Sequence, residues 1–122
     1  TATEEPMRKI ERLMLEAIEQ RKDWKLANTE VQCVYFPSKE HTIDRINVRL
    51  YGHTIATITP DEVEVCDCGW QTSTTKSRLS VILHTLCRGG VYQSSNKWYG
   101  VAENTEPWEI ELGSRHSFAR GA

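Results

Sequence analysis

The sequence predicts an α+β domain: an N-terminal helix, an antiparallel sheet, a second helix on the same face of that sheet, and a C-terminal hairpin and strand. Three observations carry this. Apolar residues recur at three- and four-residue spacing near the N-terminus and again around Ile82. Between and after those stretches they alternate, one on and one off. Turn residues separate the alternating runs so closely that successive strands must pair antiparallel. A chain of 122 residues makes one domain. Its 39% hydrophobic against 26% charged residues is the balance of a folded globule, not of a disordered chain.

Residues 1–28 read as the amphipathic helical segment, with the helix over residues 3 to about 26. Thr3 is its candidate N-cap, with Glu4, Glu5 and Pro6 in the first turn. Met7, Ile10, Leu13, Met14, Ala17, Ile18 and Trp24 make one apolar stripe. Lys9, Arg12 and Glu16 mix both signs on the opposite face, as a solvated helix face does. Asn28-Thr29 ends it. Residues 29–112 hold the sheet and the second helix. Val31–Phe36 is rich in β-formers and stops at Pro37. Ile46, Val48 and Leu50 alternate with Asn47, Arg49 and Tyr51, Gly52-His53 turns the chain, and Thr54–Thr59 returns as the hairpin partner. Beyond a turn at Thr59-Pro60-Asp61, Glu62–Cys66 is a third alternating run.

Gly69–Thr75 is a polar loop that feeds the second helix, with Thr74 or Thr75 as its cap. Leu79, Ile82, Leu83 and Leu86 form its buried stripe, and Gly89-Gly90 stops it. Val91–Gln93 and Lys97–Tyr99 flank Ser94-Ser95-Asn96 as a hairpin, and Trp108, Ile110 and Leu112 alternate with Glu109 and Glu111 as a last strand. Residues 113–122 read as a loosely held tail with Phe118 as an anchor. One sheet with both helices on one face satisfies this order.

A formal net charge of −2 is not that of a polyelectrolyte binder, so any nucleic-acid contact must rest on a local patch. No run approaches the ~18 apolar residues of a membrane span. Thr1–Pro6 has neither a basic nor an apolar leader region, so a secretory signal is not expected and the cysteines are expected to stay reduced. The charge is uneven. Residues 60–68 hold Asp61, Glu62, Glu64 and Asp67 without a basic residue, whereas residues 69–100 hold Lys76, Arg78, Arg88 and Lys97 without an acidic one. The basic segment also carries Trp70, Tyr92, Trp98 and Tyr99 among many Ser and Thr. Cations neutralise phosphates, hydroxyls and helix N-terminal amides bond them, and aromatic rings stack on bases. Trp70, Thr74, Thr75, Lys76, Arg78, Lys97, Trp98 and Tyr99 are therefore the candidate binding residues. Against this stand the plain readings: a Thr-Thr pair is an ordinary cap, Lys76 and Arg78 point apart on a helix, and one of Trp98 and Tyr99 belongs to the core.

Cys66 and Cys68 share a strand side and His84 and Cys87 share a helix side, giving C-x-C followed by H-x-x-C. Three thiolates and an imidazole suit a closed tetrahedral zinc site. The spacing departs from a C-x-x-C knuckle, and core filling accounts for the same residues, so no cofactor is expected. There is no G-x-S-x-G, no H-E-x-x-H and no Gly-rich phosphate loop, so the chain is not expected to be an enzyme.

Leu50-Tyr-Gly-His-Thr-Ile-Ala56, Gly69-Trp-Gln-Thr-Ser-Thr-Thr-Lys-Ser-Arg-Leu79 and Lys97-Trp-Tyr99 together resemble a group of small tailed-phage proteins. That group shows an L-x-G-N/H-x-I-A hairpin, a G-W-x-T-x-T-T-K-x-R-L segment and a following W-Y strand. Ser80 replaces its usual Asn, and Cys66 and Cys68 lie outside its pattern. The resemblance implies a phage origin and a role in the infected bacterium, without implying an activity. The expectation is a non-enzymatic binding protein in the host cytoplasm, a monomer or homodimer, with no membrane partner. It would contact nucleic acid or a nucleoprotein through the Thr-Thr-Lys-Ser-Arg helix start. The alternative is an inhibitor of anti-restriction or anti-CRISPR type that docks on a host protein, with residues 60–68 and 103–111 as phosphate mimic or steric plug.

Overall fold

The computed structural model describes residues 8–120, so the expected cap at Thr3 and the packing of Met7 lie outside the described residues. Helix α1 spans Lys9–Gln20 and buries Met14, Ala17 and Ile18. It stops earlier than its periodicity predicts. Arg21 takes a left-handed conformation (φ 56°), and the N–H groups of Arg21 and Lys22 bond back to the carbonyls of Ile18 and Ala17. Trp24 is consequently not on the helical stripe but opens strand β1, Trp24–Leu26.

Strands β2 (Thr29–Phe36), β3 (Lys39–Leu50), β4 (His53–Ile58) and β5 (Glu62–Cys66) follow as an antiparallel meander. β3 starts well before Ile46, so Pro37-Ser38 is a hairpin end and not the end of the sheet. Helix α2, Ser73–Cys87, comes next. Then come β6 (Gly90–Ser94), β7 (Lys97–Val101), β8 (Trp108–Ile110) and β9 (Arg115–Ala119). The α+β class holds, with two helices and antiparallel strands among the described residues.

The strands make two sheets, not one. The larger has the order β1-β2-β3-β4-β5-β9 and the smaller β6-β7-β8. The expected loose tail supplies β9, whose Phe118 sits opposite Val63 and is 3% exposed. β9 occupies the edge beside β5, and the β6–β7 hairpin does not join the main sheet. It packs on α2 instead, where the Ser80 hydroxyl accepts the Val91 N–H at 3.2 Å. Its turn is Ser95-Asn96, both with positive φ, the geometry that matches strand twist. Gly89 fits the close approach behind α2, since a Cβ there would lie 1.7 Å from the Val101 carbonyl oxygen.

Both helices cover one face of the main sheet. Met14 and Ile18 of α1 and Leu79, Ile82 and Leu83 of α2 share a core with Val31, Val48, Ala56, Val63 and Val65. On the opposite face, Gln32, Asn47, Thr57, Glu64 and Ser117 are aligned across five strands. That alternation is the half-buried pattern read from the sequence.

Candidate functional site

The start of α2 is built differently from its sequence reading. Thr72, not Thr74 or Thr75, is the N-cap: its Oγ1 accepts the Thr75 N–H at 3.1 Å. Thr75 is buried, and its hydroxyl lies 3.0 Å from that of Thr72. Arg78, expected at a binding surface, is 3% exposed. Its Nη1 donates to Glu11 Oε2 at 2.8 Å, its Nε to Thr29 Oγ1 at 3.1 Å and its Nη2 to Asn28 Oδ1 at 3.4 Å. The Ser77 hydroxyl donates to the same Glu11 oxygen at 2.6 Å. Thr75, Arg78, Leu79 and Ile82 follow helical spacing, so the buried stripe starts a turn earlier than its apolar residues show. Glu11 makes this tolerable by supplying the counter-charge that a buried guanidinium needs.

The remaining candidates differ in exposure. Trp98 is buried in the core, while Tyr99 is half-buried and stacks on Tyr92 with centroids 5.4 Å apart. Lys97 is exposed, 3.8 Å from Glu109. Lys76 is half-buried, with Nζ 3.5 Å from Gln93 Oε1. Thr74 is half-buried and Trp70 is 61% exposed. Thr75, Arg78 and Trp98 are thus inside and cannot contribute to a binding surface, while Lys76 lies against the hairpin that carries Lys97 and Tyr99.

The four cysteines are free, and the described residues include no group of three or more His, Cys, Asp or Glu able to hold a metal ion. Cys87 Sγ faces the Phe118 carbonyl inside the core, whereas His84 is exposed. Burial pushes the Cys33, Cys68 and Cys87 thiols up. For Cys68, burial and then the neighbouring Cys66 raise it from 9.0 to about 11. Thiols held this way stay protonated and poor as ligands or nucleophiles.

What the fold does assemble is a hollow where the β3–β4 turn, the β5–α2 loop and the first turn of α2 meet. The cavity is about 300 Å³. Leu50, Ile55 and Cys68 contribute to its wall, Tyr51, His53 and Trp70 line it from the two turns, and Thr72 and Thr75 close the α2 side. Tyr51 and Trp70 are 71% and 61% exposed, so their rings stand at the mouth. The hollow brings together two of the three sequence segments that carry the phage resemblance, the Leu50–Ala56 hairpin and the Gly69–Leu79 segment.

Two residues position it whose place in the site the sequence reading did not give: Asp67 was read only within the acidic stretch 60–68 and Tyr51 only as a strand position. Asp67 is buried, and its Oδ1 accepts the N–H of Gly69 at 2.8 Å and of Gly113 at 2.7 Å, while its Oδ2 accepts Gln71 Nε2 at 2.9 Å. The same Gln71 amide donates to the Ile110 carbonyl at 3.0 Å. The carboxylate thus ties the Trp70 loop to the segment between β8 and β9. Its signal was the D-x-G spacing, at which an Asp side chain closes a turn on the backbone two residues on. The second is Tyr51. It sits with φ 51° beside Gly52 with φ 79° in a two-residue turn. This turn favours Asn-Gly, so a tyrosine there is held against its backbone preference.

A family model described as Kyanoviridae Gp96 protein matches residues 7–116. No curated protein and no solved structure matches the chain. No helix among the described residues is long and apolar enough to cross a membrane.

Proposed function

The chain belongs to the Kyanoviridae Gp96 family of tailed-phage proteins, and from that premise we propose that it is a binding protein that docks on another protein in the infected bacterium. One observation supports this above all: the cavity of about 300 Å³ with Trp70 and Tyr51 exposed at its mouth. Exposed aromatic rings around an apolar hollow are the usual anchors of protein recognition. The nucleic-acid reading loses support, because Arg78, Thr75 and Trp98 are inside and Lys97 faces Glu109. Occlusion of a host protein's working surface, as in an anti-restriction or anti-CRISPR factor, is the narrower form of this reading.

The test compares immobilised wild-type protein with a Trp70→Ala variant in host lysates taken before and after infection. Quantitative mass spectrometry should find a protein retained by the wild type and depleted about tenfold or more on the variant, in line with loss of a central aromatic anchor. Fluorescence anisotropy with single-stranded DNA, duplex DNA and RNA should stay flat at low salt. Salt-sensitive nucleic-acid binding that Trp70→Ala removes would overturn the proposal in favour of a nucleic-acid binder.

A further inference from the structure

Resting on the docking reading above, we infer that the occupant is an extended peptide segment of the partner that places a large apolar side chain in the cavity and an acidic side chain next to it. Tyr51 lines both the apolar cavity and a second hollow. That neighbour is about 600 Å³ and is lined by Lys25, Ala27, Asn28, Glu30, Arg49 and Gly52 as well. The two hollows share Tyr51 as a lining residue. Their chemistry differs sharply. Among the described residues the only acid lining the first is Asp67, whose two oxygens are already taken by Gly69, Gly113 and Gln71. The second holds two cations against one carboxylate. Arg49 donates to the Gly52 carbonyl at 2.6 Å and stands 3.7 Å from Glu30. Lys25 is exposed and, among the described residues, pairs with no carboxylate.

The local excess of one positive charge on a molecule of net charge −2 selects for an anion at that point. In an extended peptide, residues two apart project on the same side about 7 Å from one another. An apolar anchor and an acid at that spacing straddle a single aromatic ring. The aliphatic floor excludes a polar group from the first compartment, and Lys25 with Arg49 excludes a basic one from the second.

The experiment is selection of a displayed random peptide library on the whole protein, with counter-selection on Trp70→Ala. Enriched sequences should carry Leu, Ile, Met, Phe or Trp with Asp or Glu two to three positions away. A labelled synthetic peptide of the winning sequence should bind Lys25→Glu about fivefold more weakly than wild type, the scale of an exposed ion pair turned repulsive. Apolar anchors enriched without an acidic neighbour, or a peptide indifferent to Lys25→Glu, would refute this inference and leave the docking reading standing. No enrichment over Trp70→Ala would overturn both. So would a concentration-dependent dimer, measured by light scattering, that Trp70→Ala dissolves, because the cavity would then belong to a second copy of this chain.

Discussion

Replacing Tyr51 with Asn should make the protein more stable while removing its docking ring. Tyr51 occupies the first position of a two-residue hairpin turn with φ 51°, and Gly52 follows with φ 79°. A left-handed backbone costs a residue with a bulky side chain about 1–2 kcal/mol, and Asn is among the few residues that adopt it readily. Relief of about 1 kcal/mol is therefore available. Against it stands the loss of the ring's contacts. The side chain is 71% exposed, and its hydroxyl accepts one bond, from Asn28 Nδ2 at 3.3 Å on the surface. Those contacts contribute about 0.5 kcal/mol. The net gain is about 0.5 kcal/mol, a rise in Tm of about 2–3 °C for a domain of this size. Thermal unfolding followed by circular dichroism measures the first half of the prediction. Binding of the selected peptide measures the second, which should weaken by about thirtyfold if the ring is a central anchor. A fall in Tm of several degrees would refute the reasoning, since Tyr51 would then be retained for the fold and not despite it.

Arg78→Ala should cost about 3–5 kcal/mol in urea unfolding, because it leaves the Glu11 carboxylate buried without its partner; Lys76→Ala, at a half-buried contact of 3.5 Å, should cost less than about 0.5 kcal/mol. Asp67→Ala should cost about 2–4 kcal/mol by orphaning two backbone N–H groups and the Gln71 amide. Hydrogen exchange should then rise first at Gly69 and Gly113. The Cys68 thiol, raised from 9.0 to about 11 by burial and by Cys66, keeps its proton longer in the folded state than in the unfolded one. Its contribution is present below pH 9 and lost as pH rises towards 11, so wild type should lose stability over that window more steeply than Cys68→Ser. A parallel decline in both proteins would count against the assigned cause.

Periodicity carried α2 and the meander because those signals are local. Leu79, Ile82 and Leu83 are apolar at helical spacing, and Ile46, Val48 and Leu50 alternate. Each such set lies on one side of its element whatever the rest of the chain does. The end of α1 was less legible, since Arg21 adopts a left-handed cap that no glycine announces. At the candidate site, Trp70 was named from the sequence as a binding residue, whereas Asp67 was read only within the acidic stretch 60–68 and Tyr51 only as a strand position. Their roles depend on a turn conformation and on Gly113, which is remote in the chain.

By itself, then, the sequence determined the α+β class, the position of α2, the meander from Ile46 to Cys66 and the burial of Phe118, because apolar alternation and turn residues act over a few neighbouring positions. Only the tertiary structure decided where the polar groups go. Arg78 is buried because Glu11, on another helix, meets it at 2.8 Å. The C-terminal segment is a strand because β5 leaves it an unpaired edge. The apolar cavity exists because a turn near residue 51 and a loop near residue 70 close on each other. An apolar side chain leaves water wherever a core is offered, whereas a charge or a backbone edge is buried only against a specific partner, and that partner is distant in the chain.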